Sequence, residues 1–166
     1  MNKILVAILM VMSAGPASAA VLTDAFGQGR AHFSLLGGNG YAFDNDYLII
    51  GVSTSYYLLD GLAVGLSVEN WSGADPGIFK YAPIVQYVFR NKSSMRPYIG
   101  GFFRHTEIKS LPDIESYGGR AGVYFASGPN YYVSAGIVYE SYIDCQQTIY
   151  STCSDTYPDV GFTIGF

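Results

Sequence analysis

The stretch Asp159-Val160-Gly161-Phe162-Thr163-Ile164-Gly165-Phe166 alternates without a break. Val160, Phe162, Ile164 and Phe166 fall on one side; Asp159, Gly161, Thr163 and Gly165 fall on the other. A period of two is the repeat of a β-strand, and large apolar residues on one side only mean that this face meets an apolar phase.

Working back from that stretch, turn signals divide the chain into eight period-two segments, expected near 29–36, 47–58, 62–71, 79–90, 97–107, 116–126, 131–142 and 157–166. The parity is plain in most of them. Leu48, Ile50, Val52, Tyr56 and Leu58 oppose Gly51, Ser53 and Ser55; Leu62, Val64, Leu66 and Val68 oppose Ala63, Gly65, Ser67 and Glu69. Phe79, Tyr81, Val85, Tyr87 and Phe89 oppose Lys80, Ala82, Gln86 and Arg90. Tyr117, Ala121, Val123 and Phe125 oppose Arg120, Gly122 and Tyr124, and Tyr131, Val133, Ile137 and Tyr139 oppose Ser134, Gly136 and Glu140. The fifth segment has no clear parity, and both orientations of His105 stay open. Pro83 falls mid-strand on the apolar parity, where a bulge would carry it.

The connections are expected to alternate in length. Asp60-Gly61, 91–96 and Gly128-Pro129-Asn130 are short, whereas 37–46, 72–78, 108–115 and 143–156 are longer. Cys145 and Cys153, the only cysteines, share the last of these and are expected to form a disulfide, because an exported chain meets an oxidising compartment. Export follows from the start of the chain. Lys3, an apolar run from Ile4 to Met12 and Ala17-Ser18-Ala19 have the layout of a signal peptide over 1–19, cut before Ala20, with a barrel domain over 20–166. The apolar run is about half the ~20 residues of a spanning helix.

Composition narrows the class further. Hydrophobic residues make up 49% of the chain and charged ones 13%, against about 25% charged in soluble domains. Without Lys3, the nine basic and thirteen acidic residues leave a net charge of about −5, which argues against a nucleic-acid partner. A lipocalin-like soluble barrel also alternates, but its outer face should carry roughly 25–35% charge. Here the polar face is mostly Gly, Ser and Ala, and the apolar face carries aromatics near strand ends, where membrane-interface girdles lie.

These features give an all-β, eight-stranded antiparallel up-and-down transmembrane barrel. The export signal, the eight segments, the strand start Arg96-Pro97-Tyr98-Ile99-Gly100-Gly101 and the ending Gly161–Phe166 resemble the small eight-stranded outer-membrane proteins: the group of the OmpX/Ail, OmpA transmembrane-domain and opacity-type surface proteins. The resemblance spans essentially all of the chain after residue 19. It implies a Gram-negative outer-membrane location, contact with lipid and lipopolysaccharide, and a monomer. It also implies that Phe162, Ile164 and Phe166 form the signal read by the barrel assembly machinery.

A barrel of eight strands is just wide enough to be filled by side chains. The inward set includes Glu69, Lys80, Gln86, Arg90, Arg120, Tyr124 and Glu140, and buried charges must pair. Glu69, Lys80, Gln86, Arg120 and Glu140 are therefore expected to form a polar plug, with surface interaction through extracellular loops as the role. A narrow channel for ions or small solutes is the alternative, because interior glycines leave space. A lipid A-modifying acyl hydrolase comes third: His32-Phe33-Ser34 resembles the pair of outer-membrane deacylases, but parity turns both residues to the lumen, away from an acyl chain. No catalytic, cofactor-binding or metal residue is assigned. Asp44/Asp46 and Asp113/Glu115 do not have the spacing of a calcium loop.

Overall fold

In the computed structural model, residues 25–43, 45–90, 94–128, 130–143, 145 and 153–166 are described. The expected signal peptide, 1–19, lies outside them. Eight strands are formed: β1 Ala31–Ala42, β2 Asn45–Leu59, β3 Leu62–Ser72, β4 Ile78–Val88, β5 Met95–Ile108, β6 Ile114–Ala126, β7 Tyr131–Tyr142 and β8 Ser154–Gly165. Each pairs antiparallel with its neighbour in the chain, and β8 returns to β1, closing the barrel. Phe33 faces Ile164 and Leu35 faces Phe162 across that seam, and Ala31 and Phe166 exchange backbone hydrogen bonds at its end.

Closure removes every strand edge, and alternation then sorts the side chains into an outer wall and a lumen. The outer wall is apolar: Leu35, Ile50, Leu66, Val85, Ile99, Ile137, Val160 and Phe162 are all exposed. Small and polar residues point inward, and Ser34, Ser53, Ser67, Ser134 and Thr163 are buried. An apolar exterior around a polar interior reverses the order of a soluble barrel and suits a lipid surround. β5 has a definite parity after all: Tyr98, Phe102, Arg104 and Thr106 are buried, whereas Ile99 and Phe103 are exposed.

Several expectations about boundaries are corrected. β1 runs to Ala42 and β2 starts at Asn45, so the long connection expected over 37–46 shrinks to two residues. On the same rim the connections after β3 and β5 span five residues each, and only the one after β7 is long, at eleven. The other rim has two, six and four. The expected alternation of short and long loops therefore does not hold. Gly37-Gly38-Asn39-Gly40 reads as a turn, but at Gly40 the missing side chain serves packing. A Cβ there would lie 2.5 Å from the ring of Trp71 on β3. Pro83 pairs with Leu66 and is not at a bulge; the β4–β5 register is the same on both sides of it, with Tyr81 facing His105 and Ile84 facing Phe102. Arg90 is not in the lumen. β4 ends at Val88, and the Arg90 guanidinium is exposed at the rim, paired with the Asp60 carboxylate.

The glycine contacts give a paired prediction. Gly40→Ala must displace the Trp71 ring and should cost about 1–3 kcal/mol of unfolding free energy in urea titrations from lipid vesicles. Gly37→Ala, whose Cβ would meet nothing within 4 Å, should leave the midpoint unchanged.

Candidate functional site

The interior is layered along the barrel axis. Near the rim that holds Phe166, residues 25–30 fold across the opening and insert Phe26, which is fully buried, among Tyr57, Ala63, Val88, Tyr98, Tyr124 and Tyr132. The segment is tied down by backbone. Gly61 N donates to Phe26 O at 2.8 Å and Gly29 N donates to Tyr57 O at 2.9 Å, with Gly29 at a φ of 85° that favours glycine. Gln28 N donates to Asp60 Oδ1 at 2.9 Å, and the Arg96 guanidinium lies over the Phe26 ring at 5.2 Å. At the opposite rim Tyr47, Ile49, Trp71, Ile78 and Ile108 form a second apolar layer.

Between the two layers lie the charges. Arg104 is central: Nη1 donates to Glu140 Oε2 at 2.7 Å and to the Tyr157 hydroxyl at 2.6 Å, and Nη2 donates to Glu69 Oε1 at 2.7 Å. Glu140, fully buried, also accepts from Ser116 Oγ at 2.6 Å, from the Tyr157 hydroxyl at 3.0 Å and from Lys80 Nζ at 3.4 Å. The Lys80 ammonium stands 4.0 Å above the Trp71 ring, and Trp71 Nε1 donates to Glu69 Oε2 at 3.3 Å. A second group lies toward the Phe26 end. Arg120 Nη2 donates to Asp159 Oδ2 at 2.5 Å, and Gln86 Nε2 donates to the Tyr124 hydroxyl at 3.1 Å.

The expected lumen residues divide between these groups. Lys80 and Glu140 meet directly, and Glu69 joins Glu140 through Arg104, which the sequence did not single out. Arg120 is not part of that cluster; its carboxylate partner is Asp159. The only sequence signal for Arg104 was that it shares a parity with Tyr98 and Phe102, in a strand that is apolar on both faces. Among the described residues, two cavities in the lumen measure about 10 and 30 Å³, each the scale of one or two water molecules. At several inward glycines aromatics occupy the space that the missing side chain leaves. A Cβ on Gly118 would lie 2.4 Å from the Phe102 ring, and one on Gly122 or Gly136 within 2.7 Å of the Tyr98 hydroxyl.

The other candidates are also placed. His32 and Ser34 face inward, but they have separate partners: His32 Nε2 lies 2.9 Å from Ala25 O, and Ser34 Oγ lies 2.7 Å from Thr163 Oγ1. His105 faces outward, 2.6 Å from Glu115 Oε1 and 3.5 Å from Asp113 Oδ2, with Tyr81 packed beside it. Among the described residues, no hydrogen bond pairs it with a serine, threonine or cysteine. Cys145 and Cys153 are joined in a disulfide across the connection after β7. Phe162 and Phe166 stand on the outer wall, and Ile164 on the same side is half-buried.

Removing one partner from a buried ion cluster strands the others. Glu140→Ala, which leaves Arg104, Lys80 and Ser116 without their shared acceptor, should therefore cost about 3–5 kcal/mol in urea unfolding from vesicles. His105→Gln on the outer wall should cost under about 1 kcal/mol.

Comparison with solved structures gives the same architecture. The N-terminal β-barrel domain of OprF from Pseudomonas aeruginosa matches with a TM-score of 0.65 at 17% identity, covering 84% of this chain and 99% of that one. Neisserial surface protein A matches with a TM-score of 0.60 at 13% identity, covering 82% and 96%. Ail of Yersinia pestis, in a phospholipid bilayer nanodisc, matches with a TM-score of 0.54 at 17% identity, covering 84% and 100%. No protein-family model matches the chain, and no curated protein does. At these identities the likeness concerns fold. The chain has the fold of the small eight-stranded outer-membrane β-barrels.

Proposed function

We propose that this chain is an integral outer-membrane protein of a Gram-negative bacterium, a monomeric barrel with a closed lumen that acts through its surface. The observation that carries this reading is the filled interior, with Phe26 and its tyrosines at one end, the Trp71 layer at the other, and paired charges between. Each element has a physical role. The exposed apolar wall supplies the lipid contact, and the paired charges hold the strands in register from within. The Phe26 segment closes the end that, in the outer-membrane orientation, faces the periplasm.

Surface action falls to the opposite rim. Apart from the eleven-residue one after β7 its connections are short, and it displays Tyr41, Phe43 and Leu111 among carboxylates such as Asp46, Asp75 and Asp113. That chemistry suits lipopolysaccharide headgroups and envelope or host ligands better than deep insertion of a loop into a partner. The outward Phe162, Ile164 and Phe166 sit where an assembly factor could reach them from the membrane side, which fits their reading as the signal for the barrel assembly machinery. The narrow-channel reading is disfavoured by the two small cavities. The hydrolase reading is disfavoured by the separate partners of His32 and Ser34.

Two measurements test the proposal. Expressed with its leader in a Gram-negative host, the protein should sediment with the outer membrane and shift its gel mobility on boiling; a soluble periplasmic product would overturn the assignment. In planar bilayers it should give no unitary conductance, and reproducible steps from the pure, refolded protein would overturn the closed lumen.

A further inference from the structure

The ladder that closes the barrel stops short. Between β1 and β8 it runs from His32/Gly165 to Gly37/Val160, although β1 continues to Ala42 and β8 begins at Ser154. Over the same stretches β1 stays paired with β2 as far as Ala42/Asn45, and β8 with β7 as far as Ser154/Ser141. Pro158 explains the stop. Ala31 and Phe166 exchange both backbone hydrogen bonds, and in an antiparallel ladder such exchanges recur at every second residue. In this register they fall at Phe33/Ile164, Leu35/Phe162 and Gly37/Val160, and the next position is Asn39/Pro158. Proline has no N–H to give, so that exchange cannot form.

Burial changes at the same point. The inward residues Gly161, Thr163 and Gly165, in the laddered part of β8, are buried, whereas Asp155, Tyr157 and Asp159 beyond the stop are half-buried. Height in the barrel is not the cause, because Val138 and Glu140, which face Tyr157 and Asp155 on β7, are buried. The 30 Å³ cavity adjoins this stretch and is lined in part by Gly38, Tyr157, Pro158 and Asp159. Side chains hold the two strands together there. The Trp71 ring lies against Gly40 on β1 and meets the Tyr157 ring of β8 edge-on at 6.0 Å.

We propose that this stretch of the seam is a lateral opening in the barrel wall, kept unladdered by Pro158 and latched from within by Trp71 and Tyr157. Rare, brief separation of β1 and β8 there admits water to the buried charges from the side. The Phe26 layer at the far end takes no part, so no through path forms.

The test is hydrogen exchange of the Trp71 indole N–H, which donates to Glu69 Oε2 inside the lumen, in protein refolded in lipid nanodiscs. Relative to its intrinsic rate, this proton should exchange faster than the Leu35 amide in the laddered part of the seam; equal rates mean one global opening and would overturn the proposal. Pro158→Thr restores the missing N–H and should slow the indole at least about tenfold while leaving Leu35 unchanged. An unchanged indole rate, or equal slowing of both protons, would overturn the seam as the route. Pro158→Ala restores the same N–H with less bulk and replaces the threonine variant if that one does not refold. Should neither refold, the wild-type comparison of indole and Leu35 decides the proposal.

Discussion

The Arg104 guanidinium, held between Glu69 and Glu140, is the interaction on which the rest of the lumen depends. Its neighbours explain why. Lys80 shares the Glu140 carboxylate and stacks on Trp71, Tyr157 joins Arg104 to Glu140, and Ser116 takes the remaining Glu140 oxygen. Charges confined in a barrel interior away from bulk water must be neutralised and hydrogen-bonded together, or each becomes a liability. The contributing residues come from β3, β4, β5, β6, β7 and β8, so one cluster ties six strands at their inner faces. Slipping β3, β4, β5 or β7 by one residue would move its charge to the outer wall and break the set.

Glycine and large aromatics fill the remaining space between them. The inner radius of eight strands is fixed by strand number and stagger, so bulk can be added only where a facing position gives it up. Trp71 lies over Gly40, Phe102 against Gly118, and the Tyr98 hydroxyl reaches the backbone at Gly122 and Gly136. The abundance of glycine on the inward parity is thus a packing device, and reading it as empty space led to the channel hypothesis. At Gly40 the same exchange lets the first strand run on beneath Trp71.

The architecture was legible in the sequence because the outer wall imposes an apolar residue at every second position, and that demand leaves a period-two trace in each strand. Strand count, order and most of the parity followed. Glu69, Lys80, Gln86, Arg120 and Glu140 were identified as inward because each interrupts a small-residue face opposite an apolar one. Arg104 escaped because β5 places Phe102 in the lumen and Phe103 outside, so neither face looks polar. Phe26 escaped for a different reason. It works from outside any strand, through backbone hydrogen bonds to the β2–β3 turn, and a lone aromatic in an irregular segment has no periodicity to betray it. Which carboxylate serves which cation depends on distances across the barrel between residues up to 60 positions apart, as for Lys80 and Glu140, and no local pattern encodes that.

The most direct test of the central claim, a sealed polar interior inside an apolar wall, uses the single tryptophan as its probe. Trp71 is 3% exposed and sits in the apolar layer at one end of the lumen. In vesicles of lipids brominated along the acyl chain, and separately with acrylamide added to the water, its fluorescence should stay unquenched. Quenching by the brominated chains would mean that the tryptophan faces lipid and the wall is inverted; quenching by acrylamide would mean that the lumen is open.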